Sequence, residues 1–371
     1  MKILIIVLAV ILVIAIVGII ILNHPCFGRR MSKERKARIE ASPNYRDGKF
    51  QNQIPTPQFT GEKSMFGALW EFLTDRKKER VPKEAVPAVK TDLKALVGPS
   101  TGSGTNSSTS GSGTGKDWLV WFGHSSYLFC LDGKRYLVDP VLKMEFPVSV
   151  MMHPFKGTDI YSPDDMPEID VLIVTHEHWD HLDYATLRDL KDKVKHVVCP
   201  LGVAEYLEYW GYDPQRITEM DWYETFNYQL STINSKITCL PTRHFSNRLF
   251  KQNQTLWASF MVESGGKKVY IGGDGGYDQR FKEVYERFGS VDLALMENGQ
   301  YNKDWANIHL MPKDLEQALL DLQPKQVFTV HHDKFSLAPH AWTEPDSVAH
   351  DIAKRNSIRL LDQPIGTVVE F

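Results

Sequence analysis

Cysteine is scarce in this chain: four in 371 residues, with no Cys-x-x-Cys pair. That excludes a disulfide-stapled scaffold and a thiolate zinc ribbon. Cys130, Cys199 and Cys239 lie in apolar runs, as small core residues do. Cys26 follows Asn23, His24 and Pro25, not the small residues of a lipoprotein box. Charge of one sign is lacking too, because 43 basic and 46 acidic residues leave a net charge of −3. The basic residues are spread out apart from one cluster, so no nucleic-acid surface is implied.

That cluster flanks the longest apolar run. Ile3 to Leu22 holds no charged or strongly polar residue, and about 20 apolar residues cross a bilayer as a helix. The alternative is a cleaved signal peptide, but the run is too long for one and no small-x-small site follows. Only Lys2 precedes the run, whereas Arg29, Arg30, Lys33, Arg35, Lys36 and Arg38 follow it. The positive-inside rule then predicts a single-pass protein with its large C-terminal part in the cytoplasm. The same basic residues can meet anionic headgroups.

The expected organisation is an anchor over residues 1–23, a proline-containing arm over 24–100, a linker over 101–115 and a compact domain over 116–371. In the arm, Phe66, Leu69, Trp70, Phe72 and Leu73 fit one helix face, expected to pack on the domain or near the membrane, with a core-seeking helix of no function as the alternative. Residues 101–115 are almost entirely Gly, Ser and Thr, a composition that buries no apolar area and predicts a flexible segment.

The domain is organised around residues 169–183. Ile169-Asp170-Val171-Leu172-Ile173-Val174 reads as a buried strand. It delivers His176, His178, Asp180 and His181 within six positions, and Asp183 is the expected N-cap of the helix that follows. Side chains alternate along an extended segment, so His176 and His178 point the same way. Imidazole nitrogen and carboxylate oxygen in this density suit zinc. A polar loop without metal is the bland reading of the same residues.

Further strands end in the same residue types. Lys134 to Pro140 is a strand closing on Asp139, expected to support the metal ligands, and His124 lies in the Gly123-His124-Ser125-Ser126 turn as a pocket or supporting residue. Pro241-Thr242-Arg243-His244 follows a strand. Val269-Tyr270-Ile271 runs into Gly272-Gly273-Asp274-Gly275-Gly276. Val327 to Val330 ends in His331-His332. Each alone is weak, since a structural His at a strand end is common. Strands alternating with helices across this region predict a two-sheet core covered by helices. Val141 to Pro167 is proline-rich and irregular, either a loop over the site or packing on the core.

The His-x-His-x-Asp-His run resembles the signature of the metallo-β-lactamase superfamily. Pro241–His244, Thr255-Leu256-Trp257-Ala258-Ser259, Gly273–Tyr277 and Val330-His331-His332-Asp333-Lys334-Phe335 narrow the resemblance to the N-acyl-phosphatidylethanolamine-hydrolysing phospholipase D branch and its lactonase-like cousins. Asp221-Trp222 and Leu337-Ala338 fit it as well. The resemblance covers Trp118 to about Pro345. It implies an α+β fold, a four-layer αββα sandwich, here with an N-terminal transmembrane helix. It implies two zinc ions, one held by His176, His178 and His244 and the other by Asp180, His181 and His331, with Asp274 bridging. His331 is selected over His332 by counting back from Phe335. It further implies catalytic roles for Asp180 and Asp274, and for His309 in phosphate binding or leaving-group protonation, a satisfied structural histidine being its alternative. Gly275 stands where the branch has Thr.

The expected activity is therefore cleavage of a phosphodiester in N-acyl-phosphatidylethanolamine or a related membrane phospholipid, beside the bilayer. A lactonase-like hydrolase of a soluble phosphorylated metabolite and a non-catalytic metal-binding membrane scaffold are the competing readings. The sequence leaves the oligomeric state open.

Overall fold

The computed structural model describes residues 2–61, 79–96, 116–230, 233–248 and 251–371. The amphipathic run Phe66–Leu73 and the Gly/Ser/Thr stretch lie outside them. In helix α1, Lys2–Leu22, the span Leu4–Leu22 is mostly exposed and is long and apolar enough to cross a membrane. A short turn, Pro25–Phe27, and helix α2, Lys33–Glu40, follow it.

Thirteen strands build two sheets. The first holds β1 Trp118–Trp121, β2 Tyr127–Leu131, β3 Lys134–Val138, β4 Ile169–Ile173, β5 Val194–Pro200, β6 Ile217–Met220 and the C-terminal β13 Val368–Glu370, in the order β13-β1-β2-β3-β4-β5-β6. The second holds β7 Thr225–Leu230, β8 Ile233–Leu240, β9 Ser259–Ser264, β10 Lys267–Ile271, β11 Leu293–Glu297 and β12 Val327–Val330, in the order β12-β11-β10-β9-β8-β7. Each sheet begins with antiparallel hairpins and continues in parallel strands, from β3 to β6 in the first and from β10 to β12 in the second. Parallel strands need a crossover, and the crossing helices cover the outer faces.

Alternation along each strand then sorts the side chains into three apolar layers. Leu119, Phe129, Val171 and Ile173 meet Ile237, Phe260, Val269 and Leu295 between the sheets. Val120, Leu128, Leu172 and Val197 pack outward under α3 Tyr184–Leu190 and α4 Ala204–Tyr209. Met261, Tyr270, Ala294 and Val327 pack under α5 Arg280–Phe288, α6 Pro312–Leu322 and α7 Glu344–Asn356. The result is the αββα sandwich. Because both faces of β4 are covered, all five of its residues are buried, and apart from Asp170 its sequence is apolar instead of alternating. Ile39 and Phe50 of the arm sit in the layer between the sheets.

Candidate metal centre

The carboxyl ends of the parallel strands point to one edge of the sandwich. Asp139 follows β3, the run His176–His181 follows β4, Asp274 follows β10, Glu297 ends β11 and His331 follows β12. His244, beyond β8, completes the set from the antiparallel half.

All seven side chains expected to hold metal converge there. The ring nitrogens of His176, His178 and His244 meet, with His176 Nε2 2.9 Å and His244 Nε2 3.2 Å from His178 Nδ1. Asp180, His181 and His331 form a second group, which His124 joins. Asp274 stands between the groups: its Oδ2 is 3.9 Å from His176 Nε2, 3.8 Å from His244 Nε2 and 3.2 Å from His181 Nε2. Its Oδ1 is 3.3 Å from His331 Nδ1. His332 turns away, packing its ring 4.8 Å from Trp121, with its Nε2 3.2 Å from Thr329 Oγ1.

The donor set fits cations. Burial holds the imidazoles of His176, His244 and His331 well below the usual histidine range and His178 at about 4, so all four keep a ring lone pair at neutral pH. Burial opposes ionisation of Asp180 and Asp274, but His181 and its neighbours outweigh it and pull both carboxyl groups well below the usual carboxylate range. His181 Nε2 and Asp274 Oδ1 are buried without a hydrogen-bond partner among the described residues. Buried polar atoms are rarely left so. Close nitrogens and oxygens that do not bond one another are what a shared cation satisfies.

A supporting layer fixes the rings. Asp139 accepts from His181 Nδ1 at 2.8 Å and from the Thr175 hydroxyl and amide at 2.6 and 2.8 Å. His244 Nδ1 donates to the Ile308 carbonyl at 2.9 Å. Asn52 of the arm brackets the His244 backbone, donating to its carbonyl at 2.7 Å and accepting from its amide at 3.2 Å. His124 Nε2 is 2.9 Å from Asp180 Oδ2. Such partners orient ligands and raise their basicity. His124, Asp139 and His331 all take positive φ, at 52°, 40° and 72°. That backbone is costly for non-glycine residues and clusters at functional sites. At Gly275 a Cβ would collide with the Thr242 hydroxyl, which donates to the Asp274 carbonyl at 2.9 Å. A side chain at 275 would therefore displace that hydroxyl.

Two residues stand out that the sequence had not marked as functional. Glu297 accepts from His309 Nδ1 at 2.7 Å and, through its other oxygen, from the Gly275 amide at 2.7 Å and the Leu310 amide at 3.1 Å. Burial raises Glu297 to about 7, and against the same burial Glu297 raises His309. Its signal was present, since it ends an apolar strand as the ligand residues do. Arg248 is buried, and its guanidinium donates to three backbone carbonyls: Glu177 at 2.6 Å, Leu182 at 3.0 Å and Cys26 at 2.8 Å. Its plane lies 3.8 Å from the Trp179 ring. It thus ties the ligand loop to the segment leaving α1, and its sequence context gave no sign of this.

A cavity of about 220 Å³ opens over the cluster. His178, Asp180, Asp274, His309 and His331 line it together with the apolar Phe59, Phe245, Trp305, Ile308 and Leu337.

The beta-lactamase superfamily domain matches residues 134–332. The chain is 34% identical over 319 residues to an uncharacterized protein of Mycobacterium tuberculosis, spanning 84% of this chain and 79% of that one. It is 30% identical over 234 residues to the mitochondrial N-acyl-phosphatidylethanolamine-hydrolyzing phospholipase D of Saccharomyces cerevisiae, spanning 61% of this chain and 49% of that enzyme. A metallo hydrolase from Ignicoccus hospitalis superposes with a TM-score of 0.51 at 17% identity, over 69% of this chain and 98% of that one. The protein belongs to the β-lactamase superfamily and is a metal-dependent hydrolase of that family.

Proposed function

We propose that this protein is a membrane-anchored, dinuclear zinc phosphodiesterase that cleaves N-acyl-phosphatidylethanolamine or a related phospholipid, with its catalytic domain on the cytoplasmic side. The observation that carries this reading is the cavity whose lining combines apolar side chains with Asp180, Asp274, His178, His309 and His331. An acyl-bearing phosphodiester matches both kinds of lining. The yeast and Caenorhabditis elegans relatives, whose names specify this lipid, and the apolar helix α1 support it.

His176, His178 and His244 would hold one zinc, Asp180, His181 and His331 the other, and Asp274 both. When bound, the ions acidify a water molecule and polarise the phosphoryl group. The chain's own groups then divide the work. Asp180, which lines the cavity, orients the attacking water and takes its proton. Water oxygen adds to phosphorus, and the bond to the ethanolamine oxygen breaks. Glu297 engages His309 Nδ1, which leaves Nε2 to protonate the departing alkoxide. The products are phosphatidic acid and an N-acylethanolamine. The apolar wall of Phe59, Phe245 and Trp305 holds acyl chain and excludes water.

The test compares hydrolysis of N-acyl-phosphatidylethanolamine in vesicles with a panel of lactones and phosphorylated sugars, alongside zinc analysis. Two zinc ions per chain and lipid turnover are expected. Preferential lactone turnover would replace this substrate with the soluble-metabolite alternative, and metal binding without turnover of any substrate would leave a scaffold. Removing residues 1–22 is expected to weaken activity on bilayers and to leave activity on soluble diesters intact.

A further inference from the structure

We propose that the turn Phe146–Met151 forms an apolar lip that beds in the hydrocarbon surface of the same bilayer that α1 crosses, so that substrate passes sideways from the membrane to His178. This rests on the anchor reading above and adds the surface by which the domain meets the lipid.

Three large apolar side chains in six residues face solvent: Phe146 is 55% exposed, Val150 64% and Met151 67%. They are not loose. Val148 and Met152 of the same turn are buried with Val141 and Phe335, and Trp179 and Leu337 pack against them. The amides of Val150, Met151 and Met152 bond back to Pro147 and Val148 at 3.2, 2.9 and 3.1 Å. A hydrogen-bonded turn that buries Val148 and Met152 and presents Phe146, Val150 and Met151 holds apolar groups outward. Monomeric soluble surfaces rarely keep such residues together without a partner.

The partner is named by what lies beside the turn. Met151 and Phe27 line one cavity of about 330 Å³, together with His178, Trp179 and Phe245. Phe27 comes five residues after Leu22, the last residue of α1. Its ring packs edge-on against Trp179 at 5.3 Å, and Arg248 grips the adjoining Cys26 carbonyl. The end of the anchor and the exposed turn therefore share one opening. His178 and Phe245 also line the cavity over the metal cluster, so these two side chains stand between the two cavities. A helix end held this close to the opening places it at the membrane surface. Apolar side chains at that level lower the free energy of contact with lipid in proportion to the area they bury.

The full chain is reconstituted in phosphatidylcholine vesicles with an environment-sensitive fluorophore on Val150→Cys. The native cysteines are buried and do not compete for the label. Leu320→Cys, on the helix layer of the other sheet, serves as the reference. Flotation is measured first. Vesicles that float with the protein and carry spin-labelled lipid should quench the label at 150 severalfold more than the label at 320. Equal quenching at the two sites in floating vesicles overturns the lip and leaves the anchor standing. Failure to float overturns the anchor and the lip together. In the same vesicles Val150→Asp is expected to raise KM for membrane-borne substrate roughly tenfold at constant kcat, given the apolar contact it removes; an unchanged KM counts against the lip.

Discussion

Replacing Arg248 with Met tests how far the ligand loop depends on one buried guanidinium. The substitution keeps an unbranched apolar stem, ends short of the guanidinium and removes every donor. Three carbonyls, of Glu177, Leu182 and Cys26, lose their charged partner. Each buried acceptor left without a donor costs about 1–3 kcal/mol, so a dry site would lose about 3–9 kcal/mol. This site is not dry. Arg248 lines a neighbouring cavity of about 490 Å³ beneath the end of α1, and water entering there can satisfy part of the loss. The lower figure, about 3 kcal/mol, is therefore expected. At roughly 2–4 °C per kcal/mol the melting temperature falls by about 6–12 °C. Two of the carbonyls flank the ligands, Glu177 lying between His176 and His178 and Leu182 directly after His181, so loop order and metal affinity should fall together. Arg248→Lys should fall between parent and Met, because a single ammonium cannot fork to three carbonyls as a guanidinium does. Thermal melting of the full chain in detergent and metal content after dialysis against a weak chelator measure both effects. A Met variant that melts with the parent and keeps its full metal would refute the reasoning.

Two further substitutions test the centre. Asp274→Asn preserves shape and removes the charge shared by both groups of ligands; turnover is expected to disappear and metal content to drop, with the melting curve still cooperative, and retained turnover would remove Asp274 from its bridging place. Glu297→Gln removes the carboxylate that raises His309 against the opposing effect of burial. A raised acid keeps its proton to higher pH, so the alkaline fall of kcat/KM should begin at lower pH in the variant, which a pH–rate profile would show; a profile that does not move would detach Glu297 from the protonation of His309.

Some of this was legible in the chain itself. Strand ends could be read because a buried parallel strand is a continuous apolar run, and a polar residue directly after it marks the edge of the sheet. His176 to His181, Asp274 and His331 each come at or shortly after such an end, His244 follows an antiparallel strand instead, and the apolar length of Ile3 to Leu22 is equally a one-dimensional fact. Periodicity and composition act over a few residues, so they reach this far.

Convergence is a property of packed sheets, and only the tertiary structure decided it. It separated His331 from its neighbour His332 by a turn at φ 72° that sends one ring to the cluster and the other to Trp121. It brought Asn52 to the His244 backbone across 192 positions, and Arg248 to Cys26 across 222. It paired Glu297 with His309 and set an exposed turn beside Phe27, in the segment that follows α1. Contacts between distant segments leave no local periodicity, because each partner is selected by the space that the folded sandwich leaves for it.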